Sequence, residues 1–163
     1  MKIIVVSDSH GKNEALENVL LQHPDADIYV HCGDIEASEG TFPQFITVRG
    51  NNDMFCEYPD QQVLQAEGHG IYVCHSHQFM YSRRAAQMAE KAKSLACDIV
   101  FHGHTHVAAF EEIDGVRLVN PGSIWRSRDG RGPSYAVVTL TKDAMDVQFE
   151  FIPQPQKKSR WFF

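Results

Sequence analysis

The chain has 163 residues, 43% of them hydrophobic and 22% charged, a composition that fits one soluble domain with a substantial core and excludes a disordered or fibrous protein. A net charge of −6, from 15 basic against 21 acidic residues, and the lack of a basic stripe exclude general nucleic-acid binding. The opening apolar run Ile3-Ile4-Val5-Val6 stops at Ser7-Asp8, too short for a signal peptide or a membrane span, and Cys32, Cys56, Cys74 and Cys97 form no C-x-x-C pair. Free thiols beside apolar runs suit a reducing cytoplasm better than a disulfide scaffold. The nine histidines are the compositional outlier.

Lys2–Val6 is a short β-branched run that reads as a buried strand, followed by the loop Asp8-Ser9-His10-Gly11. From Asn13 to Gln22, apolar residues at 15, 16, 19, 20 and 21 form a helical stripe closed by Pro24. Ile28–His31 is a second buried strand ending in Cys32-Gly33-Asp34, and Phe45–Val48 a third ending in Arg49-Gly50-Asn51-Asn52-Asp53. Strand, helix, strand, strand argues for an α/β sheet with right-handed crossovers. Gln62–Ala66 and Ile71–Cys74 flank Glu67-Gly68-His69-Gly70 as a hairpin, whose second strand runs into His75-Ser76-His77.

Ser82–Ala96 is the clearest helix, capped by Ser82, with apolar residues at 85, 86, 88, 89, 92, 95 and 96. Asp98–Phe101 is the next buried strand. It leads into His102-Gly103-His104-Thr105-His106, and if this segment is extended, His104 and His106 point to the same side. Val107–Ile113 and Val116–Val119 read as a hairpin with a type I′ turn at Asp114-Gly115, followed by the loop Asn120-Pro121-Gly122-Ser123. Ser134–Leu140 and Met145–Phe151 form a last strand pair. These C-terminal strands predict a second sheet facing the first, with helices outside. Residues 1–153 are expected to make a single domain. The tail 154–163 is expected to be mobile or at a subunit contact, where Trp161-Phe162-Phe163 could dock in a homodimer.

Each strand of the first half that enters this sheet system ends in side chains able to hold a metal: Asp8 and His10, then Asp34, Asn51, His75, and finally His104 and His106. Sites in open α/β sheets form at the carboxyl ends of strands, so these loops can converge. Packing gives no reason for such a succession, because buried strands need only apolar residues and loops only turn formers.

The ordered set D-x-H, G-D, G-N-x-D, an isolated His, G-H-T-H and N-P-G-S, running from position 8 to 123, resembles the calcineurin-like metallophosphoesterases. The short length resembles their small prokaryotic YfcE-type phosphodiesterases. The resemblance implies a four-layer α/β/β/α sandwich with two facing mixed sheets and a dinuclear metal site at strand ends. It implies that Asp8, His10 and His106 hold one ion and Asn51, His75 and His104 the second, with Asp34 bridging. It also implies phosphodiester hydrolysis by a hydroxide bridging the ions. Asp34, Asn51, Asn52, Asp53 and His75 would be the catalytic residues, and Asn52, His77 and Arg126 would meet a small phosphoester substrate. Four imidazoles favour transition metals over calcium or magnesium. Family habit puts Mn²⁺ first, with Fe, Zn²⁺, Ni²⁺ or Co²⁺ compatible. Histidines must be neutral to bind, so metal should leave as pH falls below about 6.

Two departures stand out. Asn52 occupies the place where many relatives carry a His able to protonate the leaving group, and an amide cannot donate that proton; His77 is a substitute acid, or the leaving groups are good ones. Ser76 stands where the family usually has Gly. His31 and His69 pair with none of the motifs and are expected to be structural or exposed, while His102 could support a metal ligand from behind but is expected to be a hydrogen-bonded core histidine. The main alternative function is a non-catalytic metal-binding scaffold, as in the retromer subunit of this fold. A β-lactamase-fold metallohydrolase is excluded, because His104-Thr105-His106 is followed by Val107-Ala108 and not by the x-D-H its motif requires.

Overall fold

The computed structural model describes residues 1–153, so the expectation for the tail lies outside the described residues. The elements in chain order are β1 (Lys2–Val6), α1 (Asn13–Gln22), β2 (Ile28–His31), β3 (Phe45–Thr47), β4 (Gln61–Ala66), β5 (His69–Cys74), a 3₁₀ turn (Tyr81–Arg83) and α2 (Arg84–Ser94). They continue with β6 (Ile99–Phe101), β7 (Ala108–Ile113), β8 (Val116–Pro121), β9 (Ser134–Leu140) and β10 (Met145–Phe151).

Two five-stranded mixed sheets form, in the orders β10-β9-β1-β2-β3 and β4-β5-β6-β8-β7. In the first, β1, β2 and β3 are parallel and β9 lies antiparallel to β1. In the second, β5, β6 and β8 are parallel, flanked by antiparallel β4 and β7. The two faces of β1 show why its sequence is uniformly apolar. Ile3 and Val5 pack between the sheets with Val30, Val73, Phe101 and Val138, while Ile4 and Val6 pack outward against Leu16 and Val19 of α1. On the far side, Tyr72, Val100 and Leu118 of the second sheet pack against Met88, Ala89 and Ala92 of α2. The layers are therefore α/β/β/α.

The main departures of the structure from the sequence reading are four. The hairpin β9–β10 does not join a purely C-terminal sheet: β9 pairs with β1, with Ile4 opposite Val137, and so completes the first sheet. Asn120 and Pro121 belong to β8, where Pro121 pairs with Ala108 at the strand's end and no further ladder N–H is demanded of it. The α2 helix starts later than expected. Ser82 lies in the 3₁₀ turn, and neither it nor Arg83 caps the helix through a side chain. Finally, His104 and His106 are not extended, for both have positive φ, at 73° and 60°. Among the described residues, no helix is long and apolar enough to cross a membrane.

Candidate metal centre

The parallel strands of both sheets end on the same side of the sandwich, and the loops leaving β1, β2, β3, β5 and β6 meet there. Asp8 and Asp34 are buried, as are His75 and His106, while Asn51 lies at the exposed rim. His106 Nε2 lies 3.1 Å from Asp8 Oδ1, and His10 Nε2 lies 3.9 Å from it. His75 Nε2 lies 3.4 Å from Asp34 Oδ2 and 3.9 Å from Asp8 Oδ1. Asn51 Oδ1 is 3.1 Å from His75 Nε2 and 3.0 Å from His104 Nδ1. Asp34 Oδ2 is also 3.9 Å from His10 Nε2, so this carboxylate stands between the two halves of the cluster. Two groupings, Asp8–His10–His106 and Asp8–Asp34–His75, have ligand atoms close enough to share an ion.

The outer hydrogen bonds decide which way each imidazole presents its lone pair. His75 Nδ1 donates to the Cys32 carbonyl at 2.8 Å and His106 Nδ1 donates to the Arg126 carbonyl at 2.9 Å. His10 Nδ1 lies 2.6 Å from the Glu36 carboxylate, which can only accept. In the neutral rings Nε2 is therefore bare on all three. The bare His10 and His106 nitrogens face each other at 3.4 Å, and the His75 nitrogen faces two oxygens. Asp8 Oδ1 is buried with no hydrogen-bond partner, whereas Oδ2 accepts from Ser7 Oγ at 2.6 Å and from the His104 N–H at 3.0 Å. Such convergence of lone pairs is repulsive unless positive charge sits among them. The donor set, imidazole nitrogen with carboxylate and amide oxygen, is that of a divalent transition metal.

Without an ion, the site favours a proton on His75. Burial alone would lower the pKa of His75, but Asp34, Asp8 and the Cys32 carbonyl outweigh it and hold it above the usual histidine value. Burial would raise Asp34, yet the contact with His75 and two donors from Asn52 hold it well below the carboxylate range. Asp8 is lowered in the same way, as burial is outweighed by His106, His75 and the Ser7 hydroxyl. His104 is pushed down to about 4, chiefly by burial and then by the charges of His75 and Arg84.

The backbone at the site is unusual. Asp8, His10, Asp34, His104 and His106 all adopt positive φ, between 46° and 73°. This region is uncommon for residues other than glycine and collects at functional sites. Glycines make room beside the carboxylates. A Cβ on Gly50 would collide with Asp34, and one on Gly103 with Ser7 and Asp8.

The remaining candidates take other positions. Asn52 donates from its backbone N–H to Asp34 Oδ1 and from Nδ2 to Asp34 Oδ2, both at 2.7 Å. The buried Asp53 carboxylate does not face the cluster. It accepts from the N–H groups of Asp34, Gly50 and Glu36 at 2.8, 2.8 and 2.7 Å, and so locks two ligand loops together. His77 is exposed, its ring 5.4 Å from that of His75. Arg126 contributes its carbonyl to His106 and leaves its side chain exposed.

His31 is structural, as expected. Its Nδ1 accepts from the Gly33 N–H at 3.2 Å, which puts the proton on Nε2, donated to Ser9 Oγ at 2.9 Å; Ser9 in turn reaches the Ile35 carbonyl at 3.4 Å. His102 is buried beside Asn120, outside the cluster, and His69 pairs with Asp98 at 2.7 Å. Sequence reasoning missed Glu36 and Ser7, and gave Ser123 only as a member of the N-P-G-S motif. The last donates to the Asp8 carbonyl at 2.8 Å. Each lies within two residues of a motif residue or inside a motif, which is the signal that was there to be used.

The calcineurin-like phosphoesterase superfamily domain matches residues 1–143. The chain is 34% identical over 152 residues to a Bacillus subtilis protein described as a probable metallophosphoesterase, YsnB, covering 91% of this chain and 90% of that one. It is 27% identical over 146 residues to a phosphodiesterase of Methanocaldococcus jannaschii, covering 75% and 83% of the two chains. In structure it superposes on a Streptococcus pneumoniae protein described as a predicted phosphoesterase, with TM-score 0.84, 29% identity and coverage of 91% and 87%. A zinc complex of Entamoeba histolytica Vps29 shares the fold at TM-score 0.72, with 20% identity and coverage of 92% and 97%. The chain belongs to the calcineurin-like phosphoesterase superfamily.

Proposed function

We propose that the protein is a metal-dependent phosphodiesterase holding two divalent ions, with Mn²⁺ as the first choice. Asp8, His10 and His106 would hold one ion and Asn51, His75 and His104 the other, with Asp34 within reach of both groups. One observation carries this reading. The bare nitrogens of His10, His75 and His106 converge with the unpartnered Asp8 Oδ1, an arrangement that a bound cation would stabilise. Bound there, two divalent ions would supply Lewis-acid polarisation of the phosphoryl oxygens and a water ionised near neutral pH.

The chain's own residues orient and hold. Glu36, Cys32 and Arg126 fix the imidazole rings, and Asn52 and Asp53 fix Asp34 and the loop around it. Among the ligands only Asp8 and Asp34 carry formal negative charge, so two divalent ions would leave the site net positive and attract an anionic diester despite the acidic surface. With an amide at Asn52, no proton is delivered from that position, which favours diesters with good leaving groups. The M. jannaschii phosphodiesterase supports the same substrate class. The unpaired cysteines support a reducing, cytoplasmic setting.

Hydrolysis of bis(p-nitrophenyl) phosphate by protein reconstituted with Mn²⁺, with two ions per chain by elemental analysis, is the expected result. Asp34→Ala should lose at least a hundredfold in kcat. Rates should fall steeply as leaving-group pKa rises, and a flat dependence together with a large loss in His77→Ala would transfer the acid role to His77. Two bound ions without turnover for Mn²⁺, Fe, Zn²⁺, Ni²⁺ and Co²⁺ would favour a metal-binding scaffold.

A further inference from the structure

The loop between β8 and β9 carries Trp125, which stands 42% exposed at the edge of the candidate metal centre. An indole left in solvent normally forfeits much of the burial that makes tryptophan stabilising. The backbone that carries the ring is nevertheless firmly anchored. The N–H groups of Trp125 and Arg126 both donate to the buried Ser123 Oγ, at 3.2 and 2.9 Å, and Ser123 donates to the Asp8 carbonyl. Further along, the Arg126 carbonyl receives His106 Nδ1–H, and the Arg128 N–H donates to the His106 carbonyl at 3.2 Å. The loop bearing the ring is thus bolted to the segments bearing Asp8 and His106. The indole meets the His10 ring edge-on at 5.3 Å, and Lys12 Nζ lies 5.6 Å from its centroid.

Trp125, His10, His106, Arg126, Ser127 and Arg128 line one pocket of about 570 Å³. That volume lies within the range of small-molecule sites. Its chemistry is an aromatic face beside two cations, Arg126 and Arg128, directly against one half of the metal cluster. A rigid aromatic face loses little conformational freedom on binding, and every nucleobase offers a matching π-face.

We propose that Trp125 is the stacking platform for a planar aromatic substituent, a nucleobase foremost, on the non-leaving side of the phosphodiester, which makes nucleoside phosphodiesters the substrate class. The inference rests on the phosphodiesterase reading. The decisive comparison is thymidine 5′-(p-nitrophenyl) phosphate against methyl p-nitrophenyl phosphate with the metal-loaded protein, because the two esters share a leaving group and differ only on the side facing Trp125. The nucleoside ester should be preferred about tenfold in kcat/KM, mostly through KM. Trp125→Phe should retain the preference and Trp125→Ala should bring the ratio to within about twofold of one. Independently, thymidine 5′-monophosphate should saturably quench Trp125 fluorescence in a Trp161→Phe background, since the chain has two tryptophans. A wild-type ratio near one, a ratio unmoved by Trp125→Ala, or no quenching would overturn the proposal. Turnover of the methyl ester without preference sinks this inference alone, whereas turnover of neither ester sinks the phosphodiesterase reading and leaves the fluorescence titration to judge Trp125.

Discussion

At Ser76 the structure explains a departure from the family that the sequence could only register. Its φ of 82° is one that glycine adopts freely, and its hydroxyl donates to the Gly103 carbonyl at 3.2 Å. Left-handed backbone costs a non-glycine residue about 1–2 kcal/mol, while a hydrogen bond of this kind returns about 0.5–1.5 kcal/mol. Ser76→Gly removes both at once and also loosens the unfolded chain, so its stability should lie within about 1 kcal/mol of wild type. Ser76→Ala keeps the strain and loses the bond, and should cost about 0.5–1.5 kcal/mol. Urea unfolding of the two variants checks this, and an alanine variant at least as stable as the glycine one would refute it. The same bond ties the His75 loop to the segment carrying His104. The serine therefore reads as a tether between two ligand loops.

At the scale of elements, legibility tracked how much of the structural cause was local. The bounds of β1, α1, β2, β9 and β10 agree with the sequence reading because each carries its own pattern, a run buried on both faces or an alternating or helical stripe. The partner of β9 was not legible, since alternation shows that a strand exists and not which edge it joins. Convergence of Asp8, Asp34, Asn51, His75, His104 and His106 could be anticipated from strand ends, but the reason assumed for the last two was mistaken. His104 and His106 reach the cluster from left-handed turns and not from one face of an extended segment, and the modest enrichment of histidine in left-handed backbone is too weak to foretell that conformation. Ser82 offered a helix-start signal that the 3₁₀ turn overrides. Ser82→Ala should accordingly change stability by less than about 0.5 kcal/mol, where a capping serine would cost about 1 kcal/mol. Thermal unfolding distinguishes the two.

For the molecule as a whole, pH is the informative variable. His31 and His102 are buried and held at about 3 and about 4, chiefly by burial. Between those values and the unfolded value of 6.5, the unfolded chain binds protons that the native state refuses. The stability they confer is present in full above 6.5 and is lost as pH falls toward 4 and 3. For His31 the full span amounts to roughly 3–5 kcal/mol. His75, raised in the metal-free cluster, acts with the opposite sign and softens the slope until an ion excludes its proton. Stability should therefore fall from pH 7 to pH 5 in both forms, more steeply in the metal-loaded one. Urea titrations at pH 7, 6 and 5 measure the two slopes, and equal slopes would contradict the role given to His75.

The ligand set also divides between the sheets. Asp8, His10, Asp34 and Asn51 follow strands of the first sheet, whereas His75, His104 and His106 follow strands of the second. An ion held by both groups is a further clasp between two layers already joined by apolar contact and by hydrogen bonds such as that from His75 Nδ1 to the Cys32 carbonyl. Its binding energy then adds directly to folding, in an amount set by free metal relative to the dissociation constant, about 2.7 kcal/mol at a hundredfold excess. The transient opening that exposes a chain to proteases becomes rarer by the same factor. Scarcity of metal would then shorten the protein's lifetime as well as silence its chemistry, so that abundance in the cell follows metal supply.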